Sequence, residues 1–483
     1  MTSSTIAVWV SRLRQAGVGV GVGLLGWLAR VADPRDPRGR RHGLASTLAL
    51  LACALACAGH DSLTAAAEWA ARADQAELAA VGARWDPLAG RHVAPAEATM
   101  RRVVALVDPT ALDEAITGYL RELAGGCPPP PDETPPPDET PPPPGEAPPP
   151  DETPPPDEAL APAGEAGLEV GVEAPPAPPW LSGARGPRER ELRRRLRQLA
   201  QSPPPAGLAP GAAIDGKRLA GSAAPGGRHA HLLSATSHDE GIVLAQRQVG
   251  EKTNEIPELA PLTAGLDLRG WMVTMDALHT QRETACHLVE DRHADYLMFI
   301  KDNQPSLLAT AQAALSGPDA QFADATHTQT GRGHGREEWR RVRVTTATGV
   351  DWPHAAQFVR VIRRAGPLGG PFTSKEVAYA VTSAPAERAG PAALAAHIRG
   401  HWTCENKTHY VRDVTFAEDA SQARAGHAPQ NLAALRNLVI GAFRHSGHAN
   451  IAHARREHGA DHTKVFHLFK IPHTPSKEDR SQT

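Results

Sequence analysis

Residues 128–159 read PPPPDET, PPPDET, PPPPGEA, PPPDET, PPPDEA. This repeat restricts the fold more than any other feature of the chain. Proline fixes φ and removes backbone donors, so the segment favours extended polyproline II. Its acidic side chains repel one another and stretch it further. It supplies almost no apolar surface, so it builds no core. We read residues 124–184 as a Pro/acidic low-complexity linker, and as a spacer in preference to a peptide-docking segment. Folding units are therefore expected on either side of it.

The linker also hides the charge of the rest. The whole chain of 483 residues has a formal net charge of −3. Residues 124–184 hold 12 acidic residues and no Lys or Arg. The remainder sets 51 cations against 42 acidic residues, a balance of +9, which suits a polyanionic partner. Of those cations 43 are Arg and 8 Lys, and Arg favours bidentate phosphate contacts; a GC-rich coding sequence would give the same bias. The cysteines Cys53, Cys57, Cys127, Cys286 and Cys404 are odd in number and form no CxxC, which argues for reduced thiols. Two apolar stretches, VGVGVGLLGWLA and GLASTLALLACALACA, fall short of the ~20 residues a membrane span needs. They read as buried helices, and the expected location is cytoplasmic, with no membrane partner.

Residues 1–29 are read as an N-terminal tail and 30–123 as a small all-α domain. Ser62 is placed to cap a helix over Leu63–Ala73, and ALDEAITGYLREL has helical apolar spacing. Arg101 and Arg102 fit either a DNA contact or a solvated helix face. Residues 185–211 are read as a basic connecting helix, with RERELRRRLRQLA over 188–200 favoured as a DNA contact. From 212 to 445 short strands and helices alternate: AAID, HLLSATS, GIVLAQRQV and WMVTMDA as strands, TQRETACHLVEDRHA as a helix, DYLMFIKDN as a strand. That βββαβ order predicts an α/β, RNase H-like catalytic domain, with a β-rich insertion at about 325–385. Residues 446–483 are read as a C-terminal tail.

Asp215 and Asp276 end two of the predicted strands, AAID and WMVTMD. Adjacent strand ends lie about 5 Å apart, so two carboxylates there repel unless a cation intervenes. A pair of Mg²⁺ (or Mn²⁺) ions is the usual solution in phosphoryl transfer; a plain turn role is the competing reading. Glu405 is the candidate third carboxylate, on a helix with Arg399 and His401 before it and Lys407 and Arg412 after it. Trp402 and Cys404 beside it suggest a partly buried face. His229, His231, His327, His334, His409 and His445 match no zinc spacing and read as surface or DNA-facing residues.

The runs AIDGKRLAGS, VGEKTNEIPEL, TMDALHTQ, DYLMFIKDNQP, GHGREEWRRVRV and HWTCENKTHYVRDVTFAED together resemble the DDE transposases of bacterial insertion sequences. The sequence resembles in particular the ISAs-one family within the IS-four superfamily. It extends to DPRDPRGRRHGLASTLALLACALACAG and PAEATMRRV in the N-terminal unit. It implies an RNase H-like domain preceded by a transposase-associated helical domain. It also implies that Asp215, Asp276 and Glu405 are catalytic and hold two metal ions per site. His401 and Arg412 occupy the two basic places around the glutamate. Lys217, Arg218, Lys301, Asn303, Gln304, Arg399, His401, Asn406, Lys407 and Arg412 are the candidate DNA contacts. The sequence departs from the pattern at Asp302, where glycine is usual, and in its long linker.

The implied function is DNA transposition: metal-dependent cleavage at the element ends, then strand transfer into target DNA, by a homodimer on double-stranded terminal repeats. The alternatives are a nuclease without joining activity, an inactive or domesticated DNA-binding remnant, and a scaffold built on the proline repeat.

Overall fold

The computed structural model describes residues 23–124, 205, 207–223, 229–250, 254–333 and 335–472. The proline repeat, the basic helix predicted over 188–200, and His334 lie outside the described residues.

The helical part is built around one segment that is apolar on every side. Helix α1 spans Gly23–Leu28 and α2 spans Leu44–Ala56, and all residues of α2 are buried. A helix apolar all round must be surrounded. Helices α3 (Leu63–Arg72), α4 (Gln75–Ala80), α5 (Glu97–Leu106) and α6 (Pro109–Leu123) supply part of the surround. A short hairpin of β1 (Arg84–Asp86) and β2 (Arg91–Val93) interrupts them. Their starts are encoded locally. The Ser62 side chain accepts from Ala65 N, as expected, and Asp74 with Glu77 forms a capping box. Asp108 caps α6, whose first residue is Pro109.

The rest of that surround comes from the far end of the chain. Helices from Ala428–His445, Ile451–Ala460 and His462–Leu468 place Leu435, Val439, Phe443, Phe466 and Phe469 in the same core as Leu50, Trp69 and Tyr119. Asn431 donates to Val104 O and Val107 O at 2.9 Å each, and Arg455 donates to Leu55 O and Cys57 O at 2.9 Å each. Two expectations are corrected here. Residues 446–472 are no tail, and 30–123 do not form a core of their own. The cause is the all-round apolarity of α2, which the N-terminal helices alone leave partly uncovered.

The sheet has nine strands: β3 (Gly211–Arg218), β4 (His231–Ser237), β5 (Val243–Gln248), β6 (Met272–Met275), β7 (Asp295–Ile300), β8 (Thr326–Gly333), β9 (Arg336–Thr346), β10 (Gln357–Pro367) and β11 (Ser374–Thr382), ordered β5-β4-β3-β6-β7-β11-β10-β9-β8. Strand β3 pairs antiparallel with β4 and parallel with β6, which pairs parallel with β7. The buried centre, MVTM and DYLMFI, is mostly apolar and buried throughout, as strands covered on both faces are. Alternation sends Val273 and Met275 into one core with Leu262, Leu288 and Leu307, and Met272 into another with Leu394 and Ile398. The strands expected as an insertion at about 325–385 extend the same sheet, because β11 pairs antiparallel with β7.

Candidate active site

The parallel register brings the first two carboxylates together. Ile214 stands opposite Met275, so the next residues, Asp215 and Asp276, leave the two strands side by side. Asp276 ends its strand as expected. It caps the 3-10 turn Ala277–His279, its Oδ1 accepting from Leu278 N at 3.0 Å. Asp215 does not end its strand: pairing with β6 stops at Ile214, but pairing with β4 runs on to Arg218.

The third carboxylate arrives from the other end of the sequence. Helix α7, introduced here as Pro391–His401, packs across β3 and β6. The chain then widens into π-helical turns over Cys404–His409 and Val411–Thr415, the first of them against β3. Such widened turns are frequent at functional sites. Cys404 is buried, its Sγ 3.4 Å from Thr236 Oγ1, which turns the neighbouring Glu405 outward.

Burial pushes the Asp215 carboxyl up, and the charges of Glu405, Asp276 and Glu255 add to it, to about 6. Three carboxylates therefore act on Asp215 here. The nearest imidazole offers little relief: His409 Nδ1 lies 3.6 Å from Asp215 Oδ2, too far for a hydrogen bond. Burial, with Arg412 and Lys217 nearby, pushes the His409 ring down to about 3 and keeps it neutral. Ligand atoms of Asp215, Cys404 and His409 lie within 4.8 Å of one another. Burial pushes the Cys404 thiol up to about 12, so it is a poor thiolate donor. The crowded carboxylates instead fit a hard, oxygen-seeking divalent cation.

The predicted DNA contacts divide into two groups. Arg218, Lys301, Asn406 and Lys407 are exposed, and Arg399 is half-buried, 3.5 Å from Gln329 Oε1. Asn406 donates to Trp402 O at 2.9 Å and Lys407 Nζ to Asp239 O at 2.5 Å. Asn303 and Gln304 brace the loop behind Asp276, donating to Ala277 O at 2.7 Å and Thr280 O at 2.9 Å. Lys217 is turned inward, its Nζ 2.7 Å from Asp413 Oδ2.

Two of the predicted contacts are corrected. His401 is buried, its Nδ1 3.1 Å from Thr274 Oγ1, and burial pushes the ring down to about 4. Arg412 is buried against Glu418, with NH2 to Oε1 at 2.7 Å. Neither presents charge to a DNA backbone.

Sequence reasoning also missed residues. Glu255 stands beside the pocket, held by His231 and His279, and His409 lies next to Asp215. Glu255 and His279 fall inside runs already singled out, which was the available signal. His231 and His409 read in the sequence as surface or DNA-facing residues.

Comparison with known proteins follows the same division of the chain. Residues 207–441 match the family described as "Transposase DDE domain", and residues 25–120 the family described as "DDE_Tnp_1-associated". "Putative transposase YncI" of Escherichia coli O157:H7 is 31% identical over 246 residues, covering 48% of this chain and 61% of that protein. "H repeat-associated putative transposase YhhI" of Escherichia coli K12 is 28% identical over 243 residues, covering 47% and 62%. The chain thus spans about three fifths of the length of the curated relatives it matches. A cryo-EM structure of the piggyBac transposase synaptic complex with hairpin DNA aligns over 60% of this chain and 59% of that one, at 11% identity and a TM-score of 0.31, too low to carry an argument. Among the described residues no helix is long and apolar enough to cross a membrane.

Proposed function

We propose that this chain, which belongs to the DDE transposases through its DDE domain and its DDE_Tnp_1-associated domain, cuts DNA at the ends of a mobile element and joins the freed ends to target DNA. The observation that carries this reading is the acidic pocket: Asp215 and Asp276 side by side on parallel strands, with Asp215 pushed up to about 6 by burial, Glu405, Asp276 and Glu255.

In this reading Asp215, Asp276 and Glu405 would hold two Mg²⁺ or Mn²⁺ ions. When bound, the ions supply activation of water and neutralisation of the charge that develops on the phosphate. The chain's own residues do the rest. Asp276 is fixed by its cap to Leu278 N, and Asn303 and Gln304 brace the loop that follows. Arg218, Lys301 and Lys407 are exposed and contact phosphates, with Asn406 and Arg399 alongside; such contacts position DNA without reading its sequence. Water attacks the phosphorus at the element end and expels the 3′-oxygen as a 3′-OH; that 3′-OH then attacks a target phosphodiester in line and expels the 3′-oxygen of the target strand, so one P–O bond forms as one breaks in each step. We place this reaction in the cytoplasm, on double-stranded terminal repeats, in a homodimer. The strand order β5-β4-β3-β6-β7 supports the RNase H-like reading, and the runs quoted above support the ISAs-one assignment.

The test uses the purified chain and duplexes carrying the DNA that flanks its coding region. In Mg²⁺ the wild type is expected to release 3′-OH ends and join them to a target duplex. Asp276→Asn is expected to abolish both steps and to bind DNA as well or better, since one negative charge near the phosphates is gone. Normal cleavage by Asp276→Asn overturns the reading. Cleavage without joining by the wild type reduces it to a nuclease.

A further inference from the structure

Glu255 is a carboxylate of the pocket that this account leaves unused. It sits just before the 3-10 turn Ile256–Glu258, and its side chain is 15% exposed. Each of its oxygens meets a histidine: Oε1 lies 2.7 Å from His231 Nε2 and Oε2 lies 3.0 Å from His279 Nε2. The two histidines come from different walls. His231 opens β4 opposite Arg218, and His279 closes the turn that Asp276 caps. Glu255 is thus tied to the turn that follows Asp276 and to β4, the strand paired with the one that carries Asp215.

Glycine after Asp215 has its reason here. A Cβ on Gly216 would lie 2.0 Å from Glu255 Oε1 and 2.6 Å from His231 Nε2. No side chain fits while the glutamate occupies that space. The carboxylate is therefore seated against the backbone next to Asp215.

The histidines hold Glu255 charged. Burial pushes its carboxyl up, but the hydrogen bonds from His231 and His279 outweigh burial and bring it down to about 2. His279 is buried, and among the described residues its Nδ1 has no hydrogen-bond partner. The ring meets Glu255 through Nε2, at 3.0 Å. Glu255 then keeps its negative charge and shares it with the pocket.

We propose that Glu255 is a fourth acidic group of this site, a positioning and charge-supplying residue that strengthens the hold of Asp215, Asp276 and Glu405 on divalent cations without itself being a ligand. The proposal rests on the metal-binding reading of those three residues. Both Glu255 oxygens are occupied by imidazoles, so its contribution is its field and its fixing of the turn after Asp276 against β4, the neighbour of the Asp215 strand.

The test is Mn²⁺ binding to the full chain without DNA, followed by electron paramagnetic resonance of the free ion. Glu255→Gln keeps the shape and loses the charge, and is expected to weaken Mn²⁺ binding about tenfold, as loss of a group behind a metal ligand does. Glu255→Asp, which keeps the charge, is expected to recover most of the affinity. Asp215→Asn is expected to lose the site. Wild-type affinity in Glu255→Gln beside loss in Asp215→Asn overturns this proposal and leaves the metal site standing. Wild-type affinity in both overturns the two together. Should Glu255→Gln fail to fold, His231→Lys at a half-buried position places a fixed cation on Glu255. It is expected to weaken Mn²⁺ binding similarly, and unchanged affinity overturns the proposal.

Discussion

Two buried carboxylates in this molecule meet opposite fates. Glu418 is 2% exposed, and two guanidinium groups hold it. Arg412 reaches it from Nε and NH2 at 2.7–3.0 Å, and Arg436 NH1 adds a contact at 3.0 Å. Burial pushes Glu418 up, but the charges of Arg412 and Arg436 outweigh it and bring the carboxyl down to about 2. Asp215 is also largely buried, yet its charged neighbours are Glu405, Asp276 and Glu255, and its carboxyl rises to about 6. Cations were at hand. Lys217, two residues beyond Asp215, pairs with Asp413 instead, and Arg412 follows Glu405 by seven residues but turns to Glu418. The fold neutralises one buried carboxylate completely and leaves the other among like charges. The first is a joint; the second fits a cation that comes from outside.

The largest effect that would break this comparison is on stability. Glu418→Ala leaves two buried guanidinium groups uncompensated and is expected to cost about 3–5 kcal/mol in denaturant unfolding. A loss under about 1 kcal/mol would show that the triad is no joint. Asp215→Asn should go the other way. It removes repulsion, and in metal-free protein at neutral pH it is expected to be neutral or to stabilise by up to about 2–3 kcal/mol, from a carboxyl raised from 3.8 to about 6. A clear destabilisation would mean that the pocket is a structural network like the triad.

The pH dependence sharpens the same contrast, because the two groups have opposite signs. The contribution of Glu418 is present above its unfolded value of 4.5 and is lost as pH falls toward 2. The native state binds the Asp215 proton more tightly than the unfolded chain does, so stability falls as pH rises from 3.8 through about 6. Unfolding free energies measured against pH should lose the first slope in Glu418→Gln and the second in Asp215→Asn. Identical curves in wild type and variants would contradict both assignments.

A smaller effect is expected at the tie between them. Lys217→Met removes the bond to Asp413 and is expected to cost about 1–2 kcal/mol, with a matching fall in thermal midpoint. No change in stability, together with weaker DNA binding, would return Lys217 to the role of a phosphate contact. The smallest effect is expected at the proline repeat. A Gly/Ser segment of similar reach in place of residues 128–159 should leave cleavage nearly unchanged, and loss of cleavage in a folded, DNA-binding variant would show a specific role.

What the sequence revealed was local. Strand-end carboxylates, the Ser62 cap and the strand–helix order follow from patterns a few residues long, and they matched the structure at Asp276 and Ser62. What it concealed depended on distant partners. Arg412 looked like a phosphate contact because its partner Glu418 comes back only after a turn in which Ala417 takes a left-handed φ of 48°, and Arg436 lies farther on. Residues 446–472 looked like a tail because their helices are polar and rich in histidine, while Val465, Phe466 and Phe469 meet a core whose other half lies some 400 residues earlier. Glu255 was invisible as a site residue because His231, His279 and Gly216, which define its place, are scattered over three elements.

The central claim is that the unpaired acidic pocket binds divalent cations through Asp215, Asp276 and Glu405. The most direct measurement is the thermal midpoint of the full chain against Mg²⁺ concentration, in wild type and Asp276→Asn. A ligand that binds only the native state stabilises it by RT ln(1 + [L]/Kd). The midpoint is expected to climb with the logarithm of Mg²⁺ in the wild type and to stay flat in Asp276→Asn. A flat wild-type response, or an equal climb in both proteins, would contradict it.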